Sequence, residues 1–128
     1  MNKLIIDMAS EKIFLMIITS SNIYNISYEN TKINFEKLTI IIIDFLASYN
    51  LKITEINGIY INKGPGSFAG IRNSLSIVKA FNVAKKIDYY CYSLDDFRGE
   101  TDLRYENIPN LCDKYKIKKN LINPIYLS

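Results

Sequence analysis

The segment NGIYINKGPGSFAGIRNSLSIVKAF, residues 57–81, decides how this chain folds. It opens with an apolar run at 57–62 that is typical of a buried strand. A glycine-rich turn follows, and from about residue 69 to 86 apolar and small residues recur at three- and four-residue spacing, which predicts a helix. A strand that turns at once into a helix indicates an α/β layer.

The glycine-rich loop has two interpretations. It lacks the spacing of a Walker loop and of the dinucleotide-binding fingerprint. What remains on the functional side is anion binding by free amides at a helix N-terminus, and the predicted residues are Lys63, Gly64, Gly66, Ser67 and Arg72. On the structural side, Gly64 and Gly66 permit a sharp turn and Ser67 caps the helix. The residue chemistry favours the structural interpretation.

Hydrophobic periodicity predicts the remaining elements. They are strands at 3–7, 12–19, 22–28 and 89–93, and a helix at 35–49 with Asn34 as its N-cap. Tight connections between the first three strands indicate antiparallel pairing. After Asp96 the pattern decays, and residues 98–120 predict no regular element. The order βββαβαβ predicts one α/β domain with a mixed five-stranded sheet.

Composition excludes several kinds of catalytic site. The chain has no histidine among its 128 residues, so it has neither a usual Ser-His-Asp triad nor a His-based zinc site. A Ser67–Lys63 nucleophile pair is a poor alternative because no oxyanion site is recognisable. Cys91 and Cys112 match no zinc spacing and are expected to be free thiols. No catalytic and no metal-binding residue is therefore predicted.

Charge and hydropathy indicate which partners and which compartment to expect for the chain. The net charge is only +3, and its basic residues are spread out, which argues against nucleic-acid binding by charge alone. The exception is Lys114, Lys116, Lys118 and Lys119, which a solvated tail would explain. The longest apolar run is broken at Asp44, so no membrane span is predicted. The expected location is the cytoplasm.

Both predicted helices carry more apolar surface than one sheet needs. A helix that covers a sheet requires an apolar stripe only about 100° wide, yet the first helix is apolar over more than half of its circumference. The second helix has a narrow face of small side chains that would let another helix approach closely. Either another part of the chain or a partner would cover this surplus, and for so short a chain a partner helix pair is the better account. The predicted interface residues are Glu36, Ile40, Ile41, Ile43, Ala69, Asn73, Ser76 and Ala80.

These motifs together resemble the TsaB (YeaZ) family of bacterial proteins over about the first 97 residues. The most specific part is the loop and helix of 57–81, close to the family's Gly-x-Gly-Pro-Gly-Ser-Phe-Thr-Gly-x-Arg. The strand that ends at Asp7, the turn MASE (8–11), the segment NFEKL (34–38) and the segment YSLDDF (92–97) follow in the family's order. The tail NPIYLS (123–128) resembles the segment that closes full-length members.

The resemblance implies one actin-like (ASKHA, ribonuclease H-like) lobe at 1–97. Residues 98–128 would be a short bridge and tail in place of most of the second lobe. It also implies a non-catalytic subunit that docks the catalytic TsaD protein through a helical bundle. With TsaE and a threonylcarbamoyl-AMP synthase, such a subunit supports formation of threonylcarbamoyladenosine in tRNA, which it meets through the complex.

The resemblance leaves three questions open. No cofactor is assigned to this chain, and ATP would bind, if anywhere, at the interface of the complex. Self-association of the chain alone also stays open. The alternative functions are a glycoprotease-like peptidase and a stand-alone nucleotide-binding module. Met8, Ala69 and Asn34 stand where the family commonly has Thr, Thr and His, which weakens the nucleotide alternative.

Overall fold

The structure, a computed structural model, describes residues 1–123 and the backbone of Tyr126 and Leu127. Its centre is a five-stranded mixed sheet in the order β3-β2-β1-β4-β6. The strands are β1 (Lys3–Asp7), β2 (Lys12–Ile18), β3 (Ile23–Glu29), β4 (Gly58–Asn62) and β6 (Tyr89–Tyr92). The first three pair antiparallel, whereas β1–β4 and β4–β6 pair parallel. The predicted fold class and the antiparallel start are thus confirmed.

One face of the sheet is covered by the helices that the sequence predicts. These are α1 (Lys32–Glu36), α2 (Leu38–Ala47) and α3 (Phe68–Lys85). Leu38, Ile42 and Leu46 of α2 and Ile71 and Val78 of α3 join the main hydrophobic core. Burying side chains of this kind contributes about 1.5–3 kcal/mol each. The helical pattern is therefore strongly stabilised on this face.

The first predicted helix begins earlier than expected and is broken. Thr31, not Asn34, is the N-cap, because its side chain accepts a hydrogen bond from the Asn34 amide. The Asn34 side chain instead donates to the Glu29 carbonyl at 2.8 Å, which ties the helix start to β3. Lys37 has φ −98° and ψ 10° and separates α1 from α2. The prediction of one helix at 35–49 is wrong in this respect.

The opposite face of the sheet is covered by a segment for which no element was predicted. Helix α4 (Ile108–Lys114) buries Ile108, Leu111 and Cys112 against side chains of the sheet, among them Ile5. Residues 108, 111, 112 and 115 have helical spacing, so the pattern was present but short. This packing gives the sheet a second layer.

A two-stranded pair joins the glycine loop to the end of the chain. It consists of β5 (Gly66–Ser67) and β7 (Tyr126–Leu127), which run parallel. The tail predicted at 123–128 lies in part outside the described residues, since Pro124, Ile125 and Ser128 are not among them. No helix in the described part of the chain is long and apolar enough to cross a membrane.

Candidate functional site

Helices α2 and α3 lie side by side on the sheet and present a common outer surface. We call this surface the helical face; it comprises Ile40, Ile43, Ala47, Ala69, Asn73, Ser76, Ala80 and Val83. A groove of about 250 Å³ runs between the helices, lined by Phe35, Glu36, Leu38, Thr39, Asn73, Ser76, Ile77 and Ala80. The two helices thus share one concave strip.

Large apolar side chains on the helical face are open to water. Ile40 is 61% exposed, Ile43 38% and Val83 70%. On α3 the outward positions 69, 73, 76, 80 and 83 alternate in steps of four and three, the spacing of a seam that packs against another helix. Asn73 is half-buried and the other four are exposed. The inner side of α3, with Ile71 and Leu75, is buried. One side of each helix therefore packs on the sheet, and the opposite side is exposed to solvent.

The predicted interface residues fall into three groups. Four of them line the groove, namely Glu36, Asn73, Ser76 and Ala80. Ile40, Ile43 and Ala69 are exposed beside it. Ile41 is different, because it is half-buried and packs against the core. Its place in an interface is consequently poor, although the interface as a whole stays a prediction.

Val83 on α3 and Ile33 on α1 are exposed apolar side chains that were missed from the sequence. Val83 continues the alternating spacing after Ala80, a signal that could have found it. Ile33 is 63% exposed and lies in the first turn of α1, before the helix start that the sequence predicts. Placing the cap at Thr31 would have revealed it.

The glycine loop is pressed against the turn that follows β1. A Cβ added at Gly66 would lie 2.3 Å from the Ala9 carbonyl oxygen, and one added at Gly70 would lie 1.9 Å from the Met8 carbonyl oxygen. The Ser67 amide donates to the Ala9 carbonyl at 2.8 Å. Only residues without a side chain fit at these two positions. The glycines therefore position α3 against β1.

The predicted anion-binding residues do not converge. Gly66 and Ser67 line an open cleft with Glu11, whose carboxylate disfavours an anion. Gly64 lines a second cleft with Ser93 and Asp95, and Lys63 lines a third. Arg72 is exposed on α3, and the Ser67 hydroxyl accepts from the Gly70 amide as the predicted cap. Ser67 and Lys63 therefore face different clefts, which does not favour a nucleophile–base pair.

The carboxylate at the end of β1 is bound within the protein. Asp7 is 7% exposed and accepts from the Ala9 amide at 3.0 Å, the Asn62 side-chain amide at 3.1 Å and the Tyr105 hydroxyl at 2.8 Å. Burial, and secondly the Asp7 charge, raise the pKa of Tyr105. Within the described residues no group of three or more acidic or cysteine side chains could hold a metal ion.

Both cysteines are buried, as free thiols. Burial raises the pKa of Cys91 to about 11 and that of Cys112 to about 12. Such thiols are poor nucleophiles near neutral pH, because the thiolate is the reactive form.

The sheet order and the helices that cover it define an actin-like, ribonuclease H-like lobe. RuvC from Thermus thermophilus matches with a TM-score of 0.52 at 9% identity, over 92% of this chain and 82% of that one. Two solved structures match with a TM-score of 0.66 at 17% identity: YeaZ from Pseudomonas aeruginosa, and an uncharacterized protein described as similar to the peptidase YeaZ from that organism.

The matches to YeaZ cover 72% of this chain but 43% of the YeaZ chains, so this chain spans less than half of their length. A family model described as TsaD, a tRNA N6-adenosine threonylcarbamoyltransferase, matches residues 31–93. No curated protein sequence matches. The YeaZ structures share the fold of this chain, and the family model is similar to residues 31–93; both agree with the resemblance to the TsaB (YeaZ) family.

Proposed function

We propose that this chain is a non-catalytic scaffold subunit in the formation of threonylcarbamoyladenosine in tRNA. Its task is to dock a TsaD-type catalytic subunit through the helical face. One observation carries the proposal: α2 and α3 keep an uncovered apolar seam after each has buried its inner side in the core. The family model for TsaD and the YeaZ fold support the same process.

The seam has the chemistry of a helix-bundle interface. Ile40 and Ile43 supply apolar area, and each exposed isoleucine that a partner buries stabilises a complex by up to about 1.5–3 kcal/mol. Ala69, Ser76 and Ala80 are small, so a partner helix can come close to α3. An interface built from two such helices would bury about 1,200–2,000 Å² in total.

The non-catalytic role is supported by the contacts and the burial of the potentially reactive side chains. Asp7 is bound by three hydrogen-bond donors, Ser67 serves as a helix cap, and both thiols are buried. The sequence has no histidine to act as a general base. Asp7 and Ser67 thus have structural roles, and the two thiols are shielded from solvent. The reaction chemistry is accordingly assigned to the partner, and ATP, TsaE and tRNA meet this chain within the complex.

We also propose that the chain is organised as a lobe at 1–97 and a bridge and tail at 98–128. The bridge serves as a cover, since Ile108 and Leu111 seal the sheet face opposite the helices. A cover on that face leaves α2 and α3 open for the partner.

The test is co-purification with a tagged TsaD-type subunit from the same genome. Ile40→Glu places a charge in the centre of the helical face and should reduce recovery of the complex at least about tenfold, since an unpaired buried charge is costly. Ser76→Trp should do the same by filling the groove. The matched control is Ile23→Glu: Ile23 is 47% exposed but lies on the edge strand β3, away from the helices.

Three outcomes of these experiments bear on the proposed function. Loss of the complex in the two helical-face variants, with normal folding and a normal Ile23→Glu control, supports the docking surface. If both variants bind the partner as the unmodified chain does, the docking proposal fails. Reconstituted tRNA modification that proceeds equally well without this chain would refute the scaffold role.

A further inference from the structure

Three lysines from two distant parts of the chain line a single pocket. Lys63 follows β4, whereas Lys116 and Lys118 follow α4. The pocket has a volume of about 170 Å³, and we call it the lysine pocket. It is separate from the helical face, because its residues lie at and beyond the β6 edge of the sheet. Of the loop residues predicted to bind an anion, Lys63 lines this pocket and the others do not.

The charges in the lysine pocket are not balanced. Lys114 pairs with Glu100 at 2.7 Å and Lys119 with Asp88 at 3.5 Å. In contrast, the ammonium groups of Lys63, Lys116 and Lys118 have no ion-pair partner among the described residues.

One carboxylate, that of Asp96, lines the lysine pocket, and it already accepts from the Ser93 amide at 2.8 Å. Three lysines and one aspartate line the pocket, which gives its lining a net positive charge. Such a pocket attracts an anion of more than one charge.

A second pocket adjoins the first and contains aromatic side chains. It has a volume of about 180 Å³ and is lined by Tyr60, Tyr90, Cys112 and Asp113, while Lys116 and Ile117 belong to both pockets. Tyr60 is buried and stacks on Tyr90 with ring centroids 4.9 Å apart, so the half-buried Tyr90 is the ring that a ligand can reach. An aromatic side chain beside a basic groove is a common platform for single-stranded nucleic acid. We call this the tyrosine pocket.

Each pocket has room for one group of a ligand. Alone, each is smaller than a pocket that encloses a small molecule, which typically measures about 300–1,000 Å³, so the lysine pocket would hold a phosphate group and the tyrosine pocket the edge of a base. Competition with ATP separates a free nucleotide from a strand that offers both groups.

We propose that the lysine pocket binds a phosphate group of single-stranded RNA while the tyrosine pocket contacts a neighbouring base. The choice of an RNA strand over DNA or a free nucleotide rests on the proposed function, whereas the positions of the two pockets are independent of it. This chain would thus touch tRNA directly at an unpaired segment, in addition to docking a partner.

The experiment measures binding of a short, fluorescein-labelled single-stranded RNA to the full chain by anisotropy, at low and at physiological salt. Lys63→Gln with Lys118→Gln should weaken binding roughly tenfold and reduce the slope of log K against log salt by about 1. The control Lys32→Gln with Lys52→Gln removes the same charge from exposed positions remote from the pocket and should change neither quantity. Tyr90→Leu should weaken binding and leave the slope unchanged.

Three results would overturn the proposal. The first is that the unmodified chain does not bind the RNA. The second is that the Lys63→Gln, Lys118→Gln variant binds it equally well. The third is that ATP or inorganic phosphate displaces the labelled RNA as effectively as unlabelled RNA does, when the two are compared at equal concentrations of phosphate groups. The lysine variant should still co-purify with the TsaD-type subunit, and Ile40→Glu should still bind RNA. Failure of either proposal can therefore be told from failure of the other.

Discussion

Replacing Gly70 with alanine tests whether α3 is pressed against the turn after β1. The added Cβ would lie 1.9 Å from the Met8 carbonyl oxygen, a backbone atom that no rotamer change can move aside. Ordinary contact between such atoms begins near 3.4 Å, so the first turn of α3 must move away by more than about 1 Å. The hydrogen bond from the Ser67 amide to the Ala9 carbonyl, 2.8 Å long, lies in the path of that movement.

Two opposing effects set the size of the change. Alanine is favoured over glycine in a helix by about 1 kcal/mol. Overpacking costs typically about 1–3 kcal/mol or more, and loss of the hydrogen bond at Ser67 costs about 1 kcal/mol. We expect Gly70→Ala to lower the free energy of unfolding by about 2 kcal/mol, or the melting temperature by about 6–10 °C.

Urea denaturation followed by circular dichroism measures this difference. Gly58→Ala is the matched control, because a Cβ there would lie 3.6 Å from the nearest atoms, those of Tyr60 and Tyr90. That variant should unfold at the urea concentration of the unmodified chain or slightly above it. If Gly70→Ala proves as stable as Gly58→Ala, the loop does not approach the turn after β1 as described, and the structural reading of the glycine motif is wrong.

Three further predictions concern side chains outside the loop. Tyr105→Phe removes a hydrogen bond to the buried Asp7 and should lower the free energy of unfolding by about 1–3 kcal/mol, measured in urea. Iodoacetamide at pH 8 should label neither cysteine of the native chain and both in urea, as mass spectrometry would show. Hydrogen bonds from the Arg104 side chain and backbone lower the pKa of Asp102 to about 2. The stability that this carboxylate contributes should therefore be complete above about pH 4 and disappear towards pH 2, an acid-dependent loss that Asp102→Asn should lack.

The sheet could be predicted because its strands carry the information locally. The apolar run ending at Asp7 and the run at 57–62 are long enough, and bounded clearly enough, to fix strands and order. The outer strand β3 alternates half-buried and exposed residues, in agreement with its periodicity. The start of the first helix was harder, because Thr31 and Asn34 are both good caps and only the contact of Asn34 with Glu29 decides between them.

The candidate sites depend on long-range contacts that periodicity does not encode. The sequence shows that Gly66 and Gly70 permit turns, but not that a neighbouring carbonyl leaves no room for a Cβ. Likewise, Lys63 lies more than fifty residues from Lys118, and the pairing of Lys119 and Asn120 with β6 brings the two lysines to one pocket. The helical face was predictable in outline, since a surplus of apolar surface can be counted on each helix separately.

The cover on the second face of the sheet has a consequence for synthesis on the ribosome. All five strands of the main sheet are synthesised before α4, so Ile5 and Tyr60 have no cover until that helix has been made. The hydrogen bond that Asp7 accepts from Tyr105, 98 positions later in the chain, likewise forms only after Tyr105 has been synthesised. An incomplete chain therefore exposes apolar surface both on the helices and on the uncovered face of the sheet. During this interval a chaperone would find the apolar surface that it binds.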